Sequence, residues 1–377
     1  MGAAFEIVVV GCGGGPDETN LSSYLLKAAD AFWQDGIVSL EAGSGVGTLQ
    51  RLLSSNPRLF QGEDTEDAAQ GPAITAAQVY SYISDYLITH THNDHICSLV
   101  LSGGSHSGVR KRIRALPCVV DNLQETVFND KLWPSLASFN EVSDDAHKYL
   151  YKPLQHNGEH VEIGHGLSAR AMPISHGCTS AGKLYESTAF FVRNDVAEKE
   201  FLFFGDVEPD SVSQKPQTRA VWRTAARLIP DELDTIFLEC SYRASRPMSA
   251  LFGHLSPPHV AAELRTLAHE VVEAKQRRAS DASFRSAASH NGTNGDSDGS
   301  SRPRKRPKVV AAAGDGELTG ALRGVRVYII HCKEQVSLDD DRPTPDAIAE
   351  EIRQHLLSGP DLGVEIVAVR QGMRLVF

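Results

Sequence analysis

Short apolar runs, rich in β-branched residues and closed by glycine or a polar residue, recur along this chain. Phe5 to Val10 is the first of them and reads as a strand ended by a glycine turn. Ile37 to Glu41 and Tyr86 to Thr89 repeat the pattern, as do Leu167 to Ile174, Phe201 to Phe204, Thr235 to Leu238 and Arg326 to Ile330. The chain ends in another strand-like stretch, VEIVAVRQGMRLVF. Helix-like segments such as ICSLVLSGG, starting at Ile96, lie between these runs. Strand and helix signals that alternate predict an α/β fold.

Two stretches break the pattern. Residues 61–72 are acidic and read as a surface insertion. Residues 276–316 are rich in Ser, Asn, Gly, Asp and Arg and nearly free of aromatics. A segment of that kind buries too little apolar surface to offset its ordering entropy, so a disordered insertion is expected there, within one domain spanning 1–377. Inside it, the basic run 302–308 (RPRKRPK) fits either a nuclear-import signal or a solvated loop.

Composition narrows the function. The 377 residues are 41% hydrophobic, enough for a large core, and the net charge is -11. An acidic sum favours a small substrate over duplex DNA or tRNA, so no nucleic-acid partner is expected. The six cysteines form no C-x-x-C pair, which suits a reducing compartment. No signal peptide and no apolar run near the roughly 20 residues of a membrane span are read, so the expectation is cytoplasmic, with a nuclear fraction if the basic run acts. The tract Gly11-Cys12-Gly13-Gly14-Gly15-Pro16 has proline where a dinucleotide fingerprint needs its last glycine. The glycines at 43–47 precede no lysine, which argues against a P-loop.

The densest chemistry is His90-x-His92-x-Asp94-His95. Residues two apart on leaving a strand point to one side, so His90 and His92 can grip one metal. As the chain turns into a helix, Asp94 and His95 can reach a second. Burying such a group without metal is costly. Further apolar strands end in ligand-type residues: His176 in MPISH, Asp206 in FLFFGD, Glu239 in TIFLE and His331 in VYIIH. Sites of layered α/β proteins gather at such strand ends. Glu239 is expected behind the ligands, orienting a histidine. His254, in LFGHLSP, sits in a loop and suits phosphate contact or leaving-group protonation as well as ligation. The remaining histidines, His106 and His259 among them, are expected to be solvated or structural.

With these motifs in place, the chain resembles the class II 3′,5′-cyclic-nucleotide phosphodiesterases. GGGPDETNLSSYLL, EAGSG, HTHNDHICSLVLSG, ISHG, FGDVEPD, LECSY, LFGHLSP and IIHCKE follow in that family's order. Glu41 stands where the family more often has Asp, and Asn93 where it has an apolar residue. The resemblance implies a metallo-β-lactamase-like four-layer αββα sandwich. It implies one metal held by His90, His92 and His176, a second by Asp94, His95 and His331, and Asp206 bridging. Imidazole-rich sites with mixed N and O ligands favour zinc, with manganese or iron as substitutes. A hydroxide between the two metals, oriented by Asp94, would open the cyclic phosphate. His254 would steady the phosphate or protonate the 3′-oxygen, and the product would be a nucleoside 5′-monophosphate. cAMP is the expected substrate, with cGMP next, and a homodimer is the default assembly. Two rival readings remain. A tRNA 3′-end endonuclease of the same superfamily would need a basic RNA-clamping arm. A catalytically silent metal-binding scaffold should tolerate loss of ligands, and the set here is intact.

Overall fold

The apolar runs fold as strands because both of their faces find cover. The computed structural model describes residues 2–61, 74–142, 146–289, 315–333 and 344–377. One sheet begins with β1 (Phe5–Gly11), β2 (Ser23–Ala28), β3 (Ile37–Leu40), β4 (Ile83–Leu87), β5 (Lys111–Arg114), β6 (Ala137–Ser138) and β7 (Tyr149–Tyr151). The other takes β8 (Val161–Gly164), β9 (Leu167–Cys178), β10 (Leu184–Asn194), β11 (Lys199–Phe204), β12 (Leu233–Glu239), β13 (Arg326–Ile330) and β14 (Glu365–Ala368). β15 (Arg374–Val376) then returns to the first. Among the described residues the sheets have eight and seven strands, in the orders β15-β1-β2-β3-β4-β5-β7-β6 and β14-β13-β12-β11-β10-β9-β8.

The alternation along β11 shows how the layers form. Phe201 and Phe203 pack between the sheets, against Phe5 and Tyr24 of the first and Phe237 of the second. Leu202 and Phe204 point the other way, where Phe204 meets Trp222 in a helix layer. Each buried side chain of this size contributes roughly 1.5–3 kcal/mol. The first sheet's outer face is covered by α1 (Val46–Ser55), α2 (Ala76–Tyr82), α3 (Asn93–Ser102) and α4 (Pro117–Asn122). The second's is covered by α5 (Thr218–Ala225), α6 (Pro257–Ser289), α7 (Asp315–Leu318) and α8 (Thr344–Leu356). The result is the expected αββα order.

The structure departs from the sequence reading in several places. β2, β5, β6, β7, β8 and β10 were not anticipated; β2 and β10 mix polar residues, Ser23 and Lys27 in one and Glu186, Ser187 and Thr188 in the other, with their apolar ones. β4 ends at Leu87, so His90 lies beyond the strand rather than at its tip. β9 runs on to Cys178, which puts His176 inside a strand. The stretch 276–316 begins within α6, whose helical backbone continues to Ser289. Residues 290–314, with the basic run 302–308, lie outside the described residues, as do positions 62–72 of the acidic stretch. Among the described residues no helix is long and apolar enough to cross a membrane.

β11, β12, β13 and β14 run parallel, as do β3 and β4. Their carboxyl ends therefore open toward a common edge. Asp206 follows β11, Glu239 closes β12, and His331 follows β13.

Candidate active site

The helix entry sets the first group of side chains. His92 is extended (φ -68°, ψ 148°) and caps α3, so His90 and His92 leave an extended segment while Asp94 and His95 ride on the first helical turn. His90 Nε2 lies 3.0 Å from His92 Nδ1, and His176 Nε2 reaches the same nitrogen at 3.3 Å. The far nitrogens are tied back. His176 Nδ1 donates to Gly253 O at 2.8 Å, and His90 Nδ1 meets Thr89 Oγ1 at 3.0 Å. With Nδ1–H of His176 fixed, its Nε2 lone pair faces the cluster. His92 stacks on Tyr185 at 4.5 Å between ring centres.

The second group is Asp94, His95 and His331. His331 Nε2 lies 3.0 Å from His95 Nε2 and 3.2 Å from Asp94 Oδ2. Carboxylates stand behind it. Glu41 Oε1 is 3.3 Å from His95 Nδ1. Ser241 Oγ donates to Glu239 Oε2 at 2.9 Å and sits 3.0 Å from His331 Nδ1. Both Glu41 (φ 62°) and His331 (φ 58°) adopt left-handed backbone, a strained state for these residue types that is found most often at functional sites. Gly14 permits the His331 position, since a Cβ there would overlap the imidazole.

Asp206 joins the groups. Its Oδ2 lies 3.5 Å from both His90 Nε2 and His176 Nε2. Its Oδ1 lies 3.3 Å from both His95 Nε2 and His331 Nε2. Both oxygens are buried, and neither accepts a hydrogen bond among the described residues. An uncompensated buried carboxylate costs several kcal/mol. Five imidazoles and two carboxylates whose donor atoms converge around such an orphan fit a divalent metal site.

The electrostatics differ across the cluster. Burial pushes His90 and His92 down, and His176 down to about 3. Burial opposes charge on His95 too, yet Asp206, Glu41 and Asp94 outweigh it and hold that imidazole above its ordinary value. Burial likewise resists ionisation of Asp94, but His95 and His331 keep its carboxyl below the usual range.

His254 packs between the groups, 4.8 Å from the His176 ring and 5.3 Å from the His331 ring. Its Nδ1 lies 3.0 Å from Glu239 Oε1. Gly253 before it (φ 81°) passes so close to His176 that a Cβ would sit 2.8 Å from His176 O. Burial pushes His254 down to about 4. Burial, and then the charge of Asp206, push Glu239 up to about 8.

All nine residues expected from the sequence therefore meet in one place. Sequence reasoning missed Thr89, Ser241, Tyr185 and Lys333. Thr89 adjoins His90, and Ser241 and Lys333, whose Nζ lies 3.7 Å from Asp94 Oδ2, each stand two residues past an expected one, which was a usable signal. Tyr185 comes from the unanticipated β10 and had none. His106, as expected, lies elsewhere, near Tyr80, Tyr86 and Tyr149.

The profile of the class-II cAMP phosphodiesterases matches residues 7–282. The chain belongs to that family. A 3′,5′-cyclic-nucleotide phosphodiesterase of Schizosaccharomyces pombe is 32% identical over 272 residues, covering 69% of this chain and 74% of that protein. One from Aliivibrio fischeri is 29% identical over 266 residues, covering 70% and 76%. Among solved structures, unliganded yeast PDE1 superposes with a TM-score of 0.75 at 22% identity over 100% of both chains. The metallo-β-lactamase fold protein YhfI of Bacillus subtilis gives 0.51 at 12% identity over 99% of each. These two likenesses establish the metallo-β-lactamase fold of this class-II phosphodiesterase.

Proposed function

We propose that this chain hydrolyses cAMP to 5′-AMP using two divalent cations, zinc before manganese or iron. His90, His92 and His176 hold one and Asp94, His95 and His331 the other, with Asp206 between them. Membership of the class-II family makes it a 3′,5′-cyclic-nucleotide phosphodiesterase. The observation that carries the two-cation reading is the division of Asp206, one oxygen toward each set of imidazoles.

Bound there, the cations supply Lewis acidity, making water acidic and offsetting charge on phosphoryl oxygens by several kcal/mol. The protein's own groups do the rest. Asp94, held ionised, orients the attacking water in line with the 3′-oxygen. Glu239 and Ser241 fix the rings of His254 and His331. With Nδ1 engaged by Glu239, Nε2 of His254 is the nitrogen left to face the phosphate and steady the departing 3′-oxygen by hydrogen bonding. No side chain in the cluster offers a nucleophile with a dedicated base, so attack is direct and in one displacement.

Elemental analysis should find about two transition-metal ions per chain, as the two-site chemistry requires. Chelation should abolish cAMP turnover and zinc should restore it. In ¹⁸O-water one label should enter the phosphate of 5′-AMP, and a chiral phosphorothioate should invert at phosphorus. Full activity in metal-free protein, retention at phosphorus or a 3′-AMP product would overturn the reading. A cytoplasmic location and a homodimeric state complete the proposal. Six cysteines outside any disulfide support the first, and imaging and sedimentation would test the two.

A further inference from the structure

One charged side chain at the cluster has no part in the reaction described so far. Lys333 stands two residues beyond His331, and its backbone N–H donates to Ser241 O at 2.9 Å. Its ammonium donates to Gly14 O at 2.6 Å and lies 3.7 Å from Asp94 Oδ2. The Lys333 and Asp94 side chains are 18% and 21% exposed, against 1% and 2% for His331 and Asp206. Solvent therefore reaches the cluster at this position.

The charge balance makes this position unusual. Asp94, Asp206, Glu41 and Glu239 bring four carboxyl groups to the cluster. Among the described residues, Lys333 is the only lysine or arginine paired with any of them. An ammonium has three donors and no acceptor. One is spent on Gly14 O, and 3.7 Å is too long for a hydrogen bond to Asp94. Two donors remain on a mostly buried cation beside the carboxylate expected to orient the attack. A phosphodiester carries one negative charge on its non-bridging oxygens, and more gathers there in the transition state. A fixed cation at that spot is worth most when the charge is greatest.

We propose that Lys333 is a substrate-contacting residue whose ammonium binds a non-bridging oxygen of the cyclic phosphate. This rests on the phosphodiesterase reading above. A purely structural lysine would serve only as a tether for the turn at Gly14 or as countercharge to Asp94.

Lys333→Met and Lys333→Arg in the metal-loaded enzyme separate these roles. Inorganic phosphate, titrated by calorimetry, should bind the Met variant about tenfold more weakly, with metal content at the wild-type level. Raising the ionic strength should weaken phosphate binding less in that variant than in wild type. kcat/KM for cAMP should fall about 10²-fold, the scale of a lost oxyanion donor, and Arg should recover part of both losses. Should the Met variant not fold, Lys333→Gln keeps a donor for Gly14 O and carries the same comparison. Unchanged phosphate affinity, or losses that track lost metal in every variant, would overturn the proposal. If wild type turns over no cyclic nucleotide, the function reading fails on its own, while the phosphate titration still decides Lys333.

Discussion

The two halves of the cluster share Asp206 but rest on different supports. Behind His90 and His176 stand neutral groups, the Thr89 hydroxyl and the Gly253 carbonyl. Behind His95 and His331 stand carboxyl groups, Glu41 directly and Glu239 through Ser241. The first half is an all-imidazole pocket in which burial dominates. The second is richer in carboxyl groups, and there His95 is drawn toward the charged form while burial still pushes His331 down. Ligand type alone therefore does not describe the site, since the groups behind the rings set their basicity and orientation.

The sharpest way to break this comparison is to remove the residue common to both halves. Asp206→Asn should lose metal from both and lower kcat/KM by at least about 10³-fold, the scale of several kcal/mol. Loss from one half alone would show that the two oxygens of Asp206 do not act alike.

Next in size is His254, which belongs to neither half. His254→Ala should retain both ions by elemental analysis and lose roughly 10²-fold in kcat. Loss of a metal equivalent would make it a ligand. His92→Ala is the contrast and should lose metal from the neutral half together with activity.

The supports themselves come third. Glu41→Gln should weaken metal affinity by about 10–100-fold, the usual cost of removing a partner behind a ligand histidine. Thr89→Val, at the neutral half, should cost less in the same competition titration. Equal losses would remove the distinction between the halves.

The smallest expected effect is on the acid stability of metal-free protein. His176 is pushed down to about 3, so between pH 6.5 and that value the unfolded chain binds a proton that the folded chain does not. Stability should fall as pH falls through this window, and His176→Gln should flatten the fall. His95 is raised, so its contribution is present below its unfolded value and is lost as pH rises through the folded one. His95→Gln should lower the melting temperature on the acid side, by a few degrees as judged from thermal scans. Matching profiles for the two variants would contradict the asymmetry.

The sequence by itself determined the chemistry of the cluster. HTHNDH placed two imidazoles, a carboxylate and a third imidazole within one turn of chain, and the apolar runs before Asp206, Glu239 and His331 marked strand ends. Those signals are local, because strand period and helix entry act over a few residues. The resemblance of the motifs, taken in order, supplied the fold. Tertiary structure alone decided the rest. β2 and β10 were hidden because polar residues flank their apolar ones, Ser23 and Lys27 in β2 and Glu186 to Thr188 in β10, and pairing with neighbouring strands buries most of them. His176 lies inside β9, and only the close passage of Gly253 orients its ring. Tyr185 became part of the site through contacts between distant segments. The division of Asp206 between two sets of histidines needed the ends of β11 and β13 and the start of α3 to meet at one edge. No window along the chain contains that geometry, since the positions it joins are far apart in sequence and become neighbours only when the sheets pack.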